Sequence, residues 1–224
     1  MKHIKKNQEP QSFTDWKKQA NENWQPNWKE KGKGNFQAPE KTEVHEALLT
    51  EQGYICCYCG RRIDYQSSHI EHFQPRKHYP ELALEYTNFL ASCPGYPEDE
   101  DPELGSQATQ AHCGQKKGAW YDRDLTVSPL IEDCADYFRY TRDGQILPTE
   151  ILSMQPAAKK TIEQLGLNCS SLERARKRVI EAIPDSLTRE EAQKLIQAYE
   201  QLNEQGKHIR FCSTLVYRLR QSIS

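Results

Sequence analysis

Hydrophobic and polar positions alternate with a period of two over residues 68–73, SHIEHF, whereas much of the second half of the chain repeats apolar residues every three to four positions. The first pattern predicts a strand and the second amphipathic helices, because side chains alternate across a strand and recur on one helix face. A short helix is expected over 42–53, TEVHEALLTEQG, stopping at Gly53. A strand into and a strand out of YICCYCGRRI should follow, then the SHIEHF strand, which ends before Pro75. TNFLASC reads as the start of a helix or a tight turn, and 94–112 as an excursion loop. YFRYTRDGQILP carries aromatic and β-branched residues around Asp143-Gly144, which predicts a hairpin with a primed turn. Helices are expected over 156–166, stopping at Gly166, and over SSLERARKRVIEAI behind a serine cap. Two more are expected over LTREEAQKLIQAYEQLNEQG, stopping at Gly206, and over FCSTLVYRLRQSI. Residues 1–40 show little periodicity and read as an extended arm with aromatic anchors at Phe13, Trp16, Trp24, Trp28 and Phe36.

A chain of 224 residues and 26.0 kDa makes one large domain or two small ones. The patterning divides it into an extended polar N-terminal arm (1–41), a central finger (42–125), and a hairpin with a helical C-terminal region (126–224). The composition is polar, with a mean hydropathy of -0.90, yet 36% of residues are hydrophobic, enough for a core. No apolar run is long enough for a membrane span, and MKHIKKNQEPQ lacks the apolar stretch of a secretory signal. A cytoplasmic protein without a membrane partner is expected. The net charge of -2 does not by itself mark a nucleic-acid binder. The distribution is less even: residues 1–41 hold nine lysines against five acids, while 98–103 read EDEDPE.

Eight cysteines in a chain expected to be cytoplasmic point to metal rather than disulfides. Cys56 and Cys59 form a C-x-x-C knuckle, and Cys93 and Cys113 supply a second pair whose members are separated by nineteen residues. Four thiolates in two pairs predict a tetrahedral structural zinc site. Cys57 lies inside the knuckle as a spectator, and Cys134, Cys169 and Cys212 read as small core residues.

Within SHIEHFQPRKHYPEL (68–82), the eleven positions 68–78 gather three histidines, a glutamate and two cations around a proline. Hydrolysis of a phosphodiester needs a base for the attacking water, stabilisation of the departing oxygen, and a grip on the phosphate. Histidine is the natural base near neutral pH, and a cation held by a carboxylate stabilises the leaving oxygen. His72 and Glu71 are candidates for these tasks, and Arg76, Lys77, Lys116 and Lys117 for holding phosphate. Mg²⁺ needs only one or two protein ligands, so a sparse set suffices.

Glu71-His72-Phe73-Gln74-Pro75, Asn88 in TNFLASC, and the closing CGQKKG together resemble the HNH, or ββα-metal, endonucleases. The resemblance implies an α+β fold: a zinc-stabilised ββα-metal finger with a β-hairpin and a helical C-terminal part. It implies His72 as general base, Glu71 as ligand of a catalytic Mg²⁺ or Mn²⁺, and Asn88 as the residue that holds the loop and orients His72. Cys56, Cys59, Cys93 and Cys113 would hold the structural zinc. Gly114 departs from the family, which usually places a His or Asn metal ligand there; either His69 or His112 would have to replace it. A narrower likeness covers roughly residues 42–180, from HIEHFQPRKHYPEL through YFRYTRDGQILP to LERAR. This run is similar to the HNH component of Septu anti-phage systems, also found beside some retrons. It implies an ABC-type ATPase partner (PtuA-like) and a role in phage defence; a homodimer stays open. DNA is the expected substrate, cut without sequence preference, because nothing resembles a base-reading helix. RNA such as tRNA is the alternative polymer, and an inactive zinc-finger adaptor the alternative class.

Overall fold

The computed structural model describes residues 1–29, 34–96, 110–184 and 186–223. The acidic run 98–103, and with it most of the excursion loop, lies outside the described residues.

The N-terminal segment is not an extended arm. Residues Gln11–Lys18 form helix α1, which turns Phe13 and Trp16, three positions apart, onto one buried face. Phe36 joins them, its ring 5.0 Å from Phe13 and 5.2 Å from Trp16, and Phe13 reaches Phe89 at 6.0 Å. Upstream, Ile4 donates its N–H to the Pro129 carbonyl at 2.8 Å, and Lys6 pairs with the buried carboxylate of Glu51. The apolar core runs without a break from Met1 and Phe13 through Leu48 and Phe89 to Phe138, Leu172 and Phe211. Aromatic burial outweighs the lysine-rich composition here, because each buried ring removes more apolar surface from water than the intervening polar residues cost.

Helix α2 spans Glu40–Glu51 and buries Val44, Leu48 and Leu49; it stops as expected where Gly53 turns to φ +58°. The two strands expected around the cysteine knuckle shrink to one bridge, Ile55 with Arg62. The knuckle closes on itself too quickly for more: Cys56 N–H reaches the Arg61 carbonyl at 2.8 Å, and Gly60 N–H the Cys56 carbonyl at 3.0 Å. Strand β1 (His69–His72) pairs antiparallel with β2 (Phe89–Ser92), with His69 opposite Ser92 and His72 opposite Phe89. TNFLASC therefore divides: Tyr86–Asn88 make a 3₁₀ turn and the rest is strand.

Helix α3 (Cys113–Lys117) is short, and β3 (Phe138–Tyr140) and β4 (Ile146–Pro148) form the second two-stranded sheet. Their turn is not primed. Of its residues only Gly144 has positive φ (85°), and its N–H reaches the Thr141 carbonyl at 3.2 Å. That is a turn with glycine at its exit rather than two left-handed central residues. The remaining helices are α4 (Gln155–Gln164), α5 (Ser170–Glu181), α6 (Arg189–Glu200) and α7 (Cys212–Ser222). Helix α5 is preceded by Cys169 with no side-chain cap bond, so the expected serine cap is absent. Helix α6 has a full capping box between Thr188 and Glu191, and it ends at Glu200, before Gly206. It packs on α7 through Ala192, Ile196, Val216 and Leu219, a small satellite of the main core. Among the described residues no helix is long and apolar enough to cross a membrane.

The fold class is thus α+β. Strands β1 and β2, helix α3 and the cysteine knuckle converge on one region, where the candidate residues lie.

Candidate active site

The excursion loop leaves and returns at one point, because the His112 N–H donates to the Gly95 carbonyl at 2.9 Å. That contact brings Cys113 to Cys93 across nineteen residues. One ligand sulfur each from Cys56, Cys59, Cys93 and Cys113 lies within 4.8 Å of the others, and no cysteine is in a disulfide. The Sγ atoms of Cys59 and Cys93 are 3.9 Å apart. A tetrahedral zinc with bonds of ~2.3 Å would separate its sulfurs by roughly 3.8 Å, so the donor set and spacing fit such an ion. Cys56 Sγ also accepts the Cys93 N–H at 3.4 Å. Burial alone would raise the Cys56 thiol, but hydrogen bonds from Cys113, Cys57, Cys59 and Cys93 draw it well below its ordinary value. On Cys93 the bond from Cys113 lowers the thiol, but those with Cys56 and Cys59 outweigh it, and burial with the same neighbours pushes the Cys113 thiol up. Without an ion the cluster thus favours a thiolate at Cys56, and the charge of a bound metal would deprotonate the rest. Cys57 stands outside the group, its N–H bonded to the Ala91 carbonyl at 3.1 Å.

Glu71 is buried beside this cluster. Its Oε1 accepts from the Tyr58 hydroxyl at 3.1 Å and the Lys117 ammonium at 3.0 Å. Its Oε2 is 3.6 Å from His69 Nε2. Burial pushes the carboxyl up, but His69 and Lys117 outweigh it and hold Glu71 below its usual range, so it is a carboxylate at neutral pH. The alternation read from the sequence has its consequence here: His69 and Glu71 share a face of β1. His112 does not join them. Its Nδ1 lies 3.2 Å from Cys113 Sγ and 3.8 Å from Cys93 Sγ, facing the thiols. Gly114 explains why His69 has room. A Cβ at that position would sit 2.6 Å from Glu71 Oε2 and 3.1 Å from His69 Nε2. The glycine leaves a gap bordered by one carboxylate oxygen and one imidazole nitrogen, donors that fit a small divalent cation.

His72 points to the other side of the strand. Its Nε2 is 3.0 Å from the Ala83 carbonyl. A carbonyl only accepts, so Nε2 carries the proton and Nδ1 keeps the lone pair. The ring stands edge-on between Trp28, at 4.5 Å, and Phe89, at 4.9 Å. Burial lowers its pKa to about 4, with the Ala83 bond opposing, so the imidazole is neutral at physiological pH. Asn88 fixes the chain just beyond it. Its Oδ1 accepts from Gln74 N–H at 2.8 Å, and its Nδ2 donates to the carbonyls of Gln74, at 3.0 Å, and Leu82, at 3.3 Å. Asn88 therefore acts on the segment after His72 rather than on its ring.

The four cations read as phosphate-binding separate, and Lys77 is exposed. Lys116 is exposed on α3. Arg76 lies over the Trp28 ring at 5.0 Å and reaches the Lys29 carbonyl at 3.4 Å. Lys117 does not face solvent. It is 2% exposed, and its ammonium bonds Glu71 and the His72 carbonyl, the latter at 3.1 Å. A side chain so enclosed is part of the carboxylate's support, not a free grip on substrate. Sequence reasoning missed Tyr58 altogether and took Trp28 for a packing anchor rather than a base-stacking platform, not for a neighbour of His72. The one signal for Tyr58 is a hydroxyl-bearing aromatic inside the knuckle. Nothing local connects Trp28 to His72, 44 positions away.

The geometry thus sets a carboxylate–imidazole pair beside a cysteine cluster, with a neutral imidazole held by its Nε2 on the opposite face. No protein-family model matches the chain. Among curated proteins, "Retron Vc95 putative HNH endonuclease" of Vibrio cholerae serotype O1 biovar El Tor is 30% identical over 154 residues, which cover 66% of this chain and 68% of the relative. The chain belongs to the HNH endonuclease family. A second HNH relative, "Retron Ec83 putative HNH endonuclease" of Escherichia coli, is 28% identical over 210 residues, covering 80% of this chain and 79% of the relative. Septu protein PtuB of Bacillus thuringiensis is 28% identical over 137 residues, 57% of this chain and 42% of PtuB. Within the HNH family the chain is therefore similar to members named for retron and Septu systems.

Proposed function

We propose that this protein is a metal-dependent HNH endonuclease that hydrolyses DNA phosphodiester bonds as the nuclease of an anti-phage complex. The observation that carries the reading is the pairing of His72, neutral with a free Nδ1, with the adjacent Glu71–His69 gap at Gly114. His72 Nδ1 takes the proton of the attacking water. Its Nε2–H stays on the Ala83 carbonyl, which keeps the ring from turning and stabilises the imidazolium as it forms. Glu71 Oε2 and His69 Nε2 hold Mg²⁺ or Mn²⁺, which when bound stabilises charge on the leaving oxygen. Asn88 holds the 73–74 segment and so the approach of His72. Cys56, Cys59, Cys93 and Cys113 hold a structural zinc that joins the knuckle to α3. Arg76 and Lys116 contact the phosphate chain. The HNH chemistry does not call on a 2′ hydroxyl, and DNA is favoured as the target of a defence nuclease. The likeness to PtuB supports an ATPase partner of the ABC type.

The test is cleavage of plasmid DNA and of total tRNA, side by side, with Mg²⁺ or Mn²⁺, with and without a PtuA-like ABC-type ATPase. Cuts in DNA that leave a 5′ phosphate support the proposal. Cuts confined to tRNA reassign the substrate, and no cleavage of either moves the reading to an adaptor.

A further inference from the structure

We infer that Tyr58 and Lys117 are positioning residues that make Glu71 a one-oxygen ligand, leaving only Oε2 to meet the divalent cation. The inference rests on the reading of Glu71 as a cation ligand and adds what controls it.

The two oxygens of this carboxylate have different surroundings. Oε1 accepts two hydrogen bonds, from Tyr58 at 3.1 Å and Lys117 at 3.0 Å. Oε2 faces His69 and the gap that Gly114 leaves. Neither donor can swing away cheaply. Tyr58 is 1% exposed, and Lys117 also donates to the His72 carbonyl. Turning Glu71 so that both oxygens reach a cation would strip a buried hydroxyl of its acceptor and leave a buried ammonium with the His72 carbonyl but no counter-charge, an arrangement proteins avoid. Both donors also hang from the cysteine cluster: Tyr58 precedes Cys59, and Lys117 closes the helix that Cys113 begins. The knuckle and α3 thus set the orientation of the carboxylate as well as the fold. One-oxygen binding leaves more of the ion's positions for phosphate and water than two-oxygen binding would. Lys117 also places a positive charge against the ligand, which weakens cation binding while preserving those positions.

This predicts opposite effects on affinity and turnover. Mn²⁺ binding to the zinc-loaded full chain is measured by electron paramagnetic resonance, without substrate or partner, for wild type, Tyr58→Phe, Lys117→Met and Glu71→Gln; kcat and KM for cleavage are then measured with Mn²⁺. Lys117→Met should bind Mn²⁺ about tenfold more tightly, because a competing charge-assisted contact is gone. Tyr58→Phe should shift the same way by a smaller factor. Both should lose about tenfold or more in kcat with little change in KM, since a catalytic contribution is removed while substrate binding is not. A merely structural role would weaken Mn²⁺ binding together with kcat. Unchanged or weaker Mn²⁺ affinity in both variants overturns the inference. If Lys117→Met does not fold, the nearly isosteric Tyr58→Phe decides alone. Wild-type Mn²⁺ affinity in Glu71→Gln would instead overturn the assignment of Glu71 as ligand, so the two failures are distinguishable.

Discussion

Trp28→Ala is expected to change the proton affinity of a histidine that lies 44 residues away in sequence. His72 sits between two aromatic rings, Trp28 at 4.5 Å and Phe89 at 4.9 Å. Burial brings its pKa from 6.5 to about 4. Because the fold depresses this pKa, the unfolded chain takes up the proton first as pH falls. The stability contributed by the neutral imidazole is whole above about 6.5 and is lost as pH falls towards about 4. A shift of this size corresponds to roughly 3 kcal/mol. Removing one of the two rings should return about half of it, placing His72 of the variant a little above 5. At pH 5 the wild-type ring would be about 90% neutral and the variant ring roughly a third neutral, so cleavage at pH 5 relative to its plateau should fall about two- to threefold. Lost packing around Phe36 and Phe89 should also cost about 2 kcal/mol of stability at pH 7, discounted from full burial because Trp28 is half-exposed. The assay is an NMR titration of the His72 ring, paired with the acid limb of the cleavage profile. A Trp28→Ala protein that is less stable but titrates at the wild-type value would refute the account of what lowers His72.

Cys59→Ser should lose the bound zinc and several kcal/mol of stability, as removing a ligand of a structural metal does; zinc content by mass spectrometry and the melting curve check this, and a normally folded, zinc-loaded variant would contradict it. Gly114→Ala should keep its zinc, since the backbone there has no positive φ, but its Cβ would crowd Glu71 Oε2 at 2.6 Å and so abolish Mn²⁺ binding. Retained Mn²⁺ affinity would mean the gap is not the cation's place. Thr188→Ala removes the capping box of α6, which packs on α7 in the satellite cluster, and should cost about 1 kcal/mol with cleavage unchanged; a loss of cleavage would show that α6 contributes to the reaction.

The parts of this arrangement that the sequence discloses are those governed by short spacing. Alternation in SHIEHF fixes which of His69, Glu71 and His72 share a face, and Gly53 and Gly166 mark helix ends that the backbone uses. The cysteine group is legible as a set, although its closure depends on a hydrogen bond between His112 and Gly95 that no spacing rule supplies. Contacts across long separations are not legible. Phe13 and Trp16 stand three apart on a helix, but a surrounding excess of lysine conceals their buried face. Lys117 illustrates a different limit: sequence gives its charge but not its direction, and direction turns an expected phosphate contact into a support for Glu71. The C-terminal end of α6 precedes Gly206 because residues 201–206 turn back through Asn203, whose side chain accepts from Gln205 and Lys207. A glycine-based rule sees the later stop and misses the earlier one.

The central claim is that His72 is the base of a nuclease. It is tested most directly by single-turnover cleavage of plasmid DNA with Mn²⁺ and the proposed ATPase partner, comparing wild type with His72→Ala at equal zinc content and equal melting temperature. Loss of a general base predicts a fall of about 10²- to 10⁴-fold in the rate constant for His72→Ala. Cleavage by His72→Ala within a few-fold of wild type would contradict the claim and require another group to take the proton.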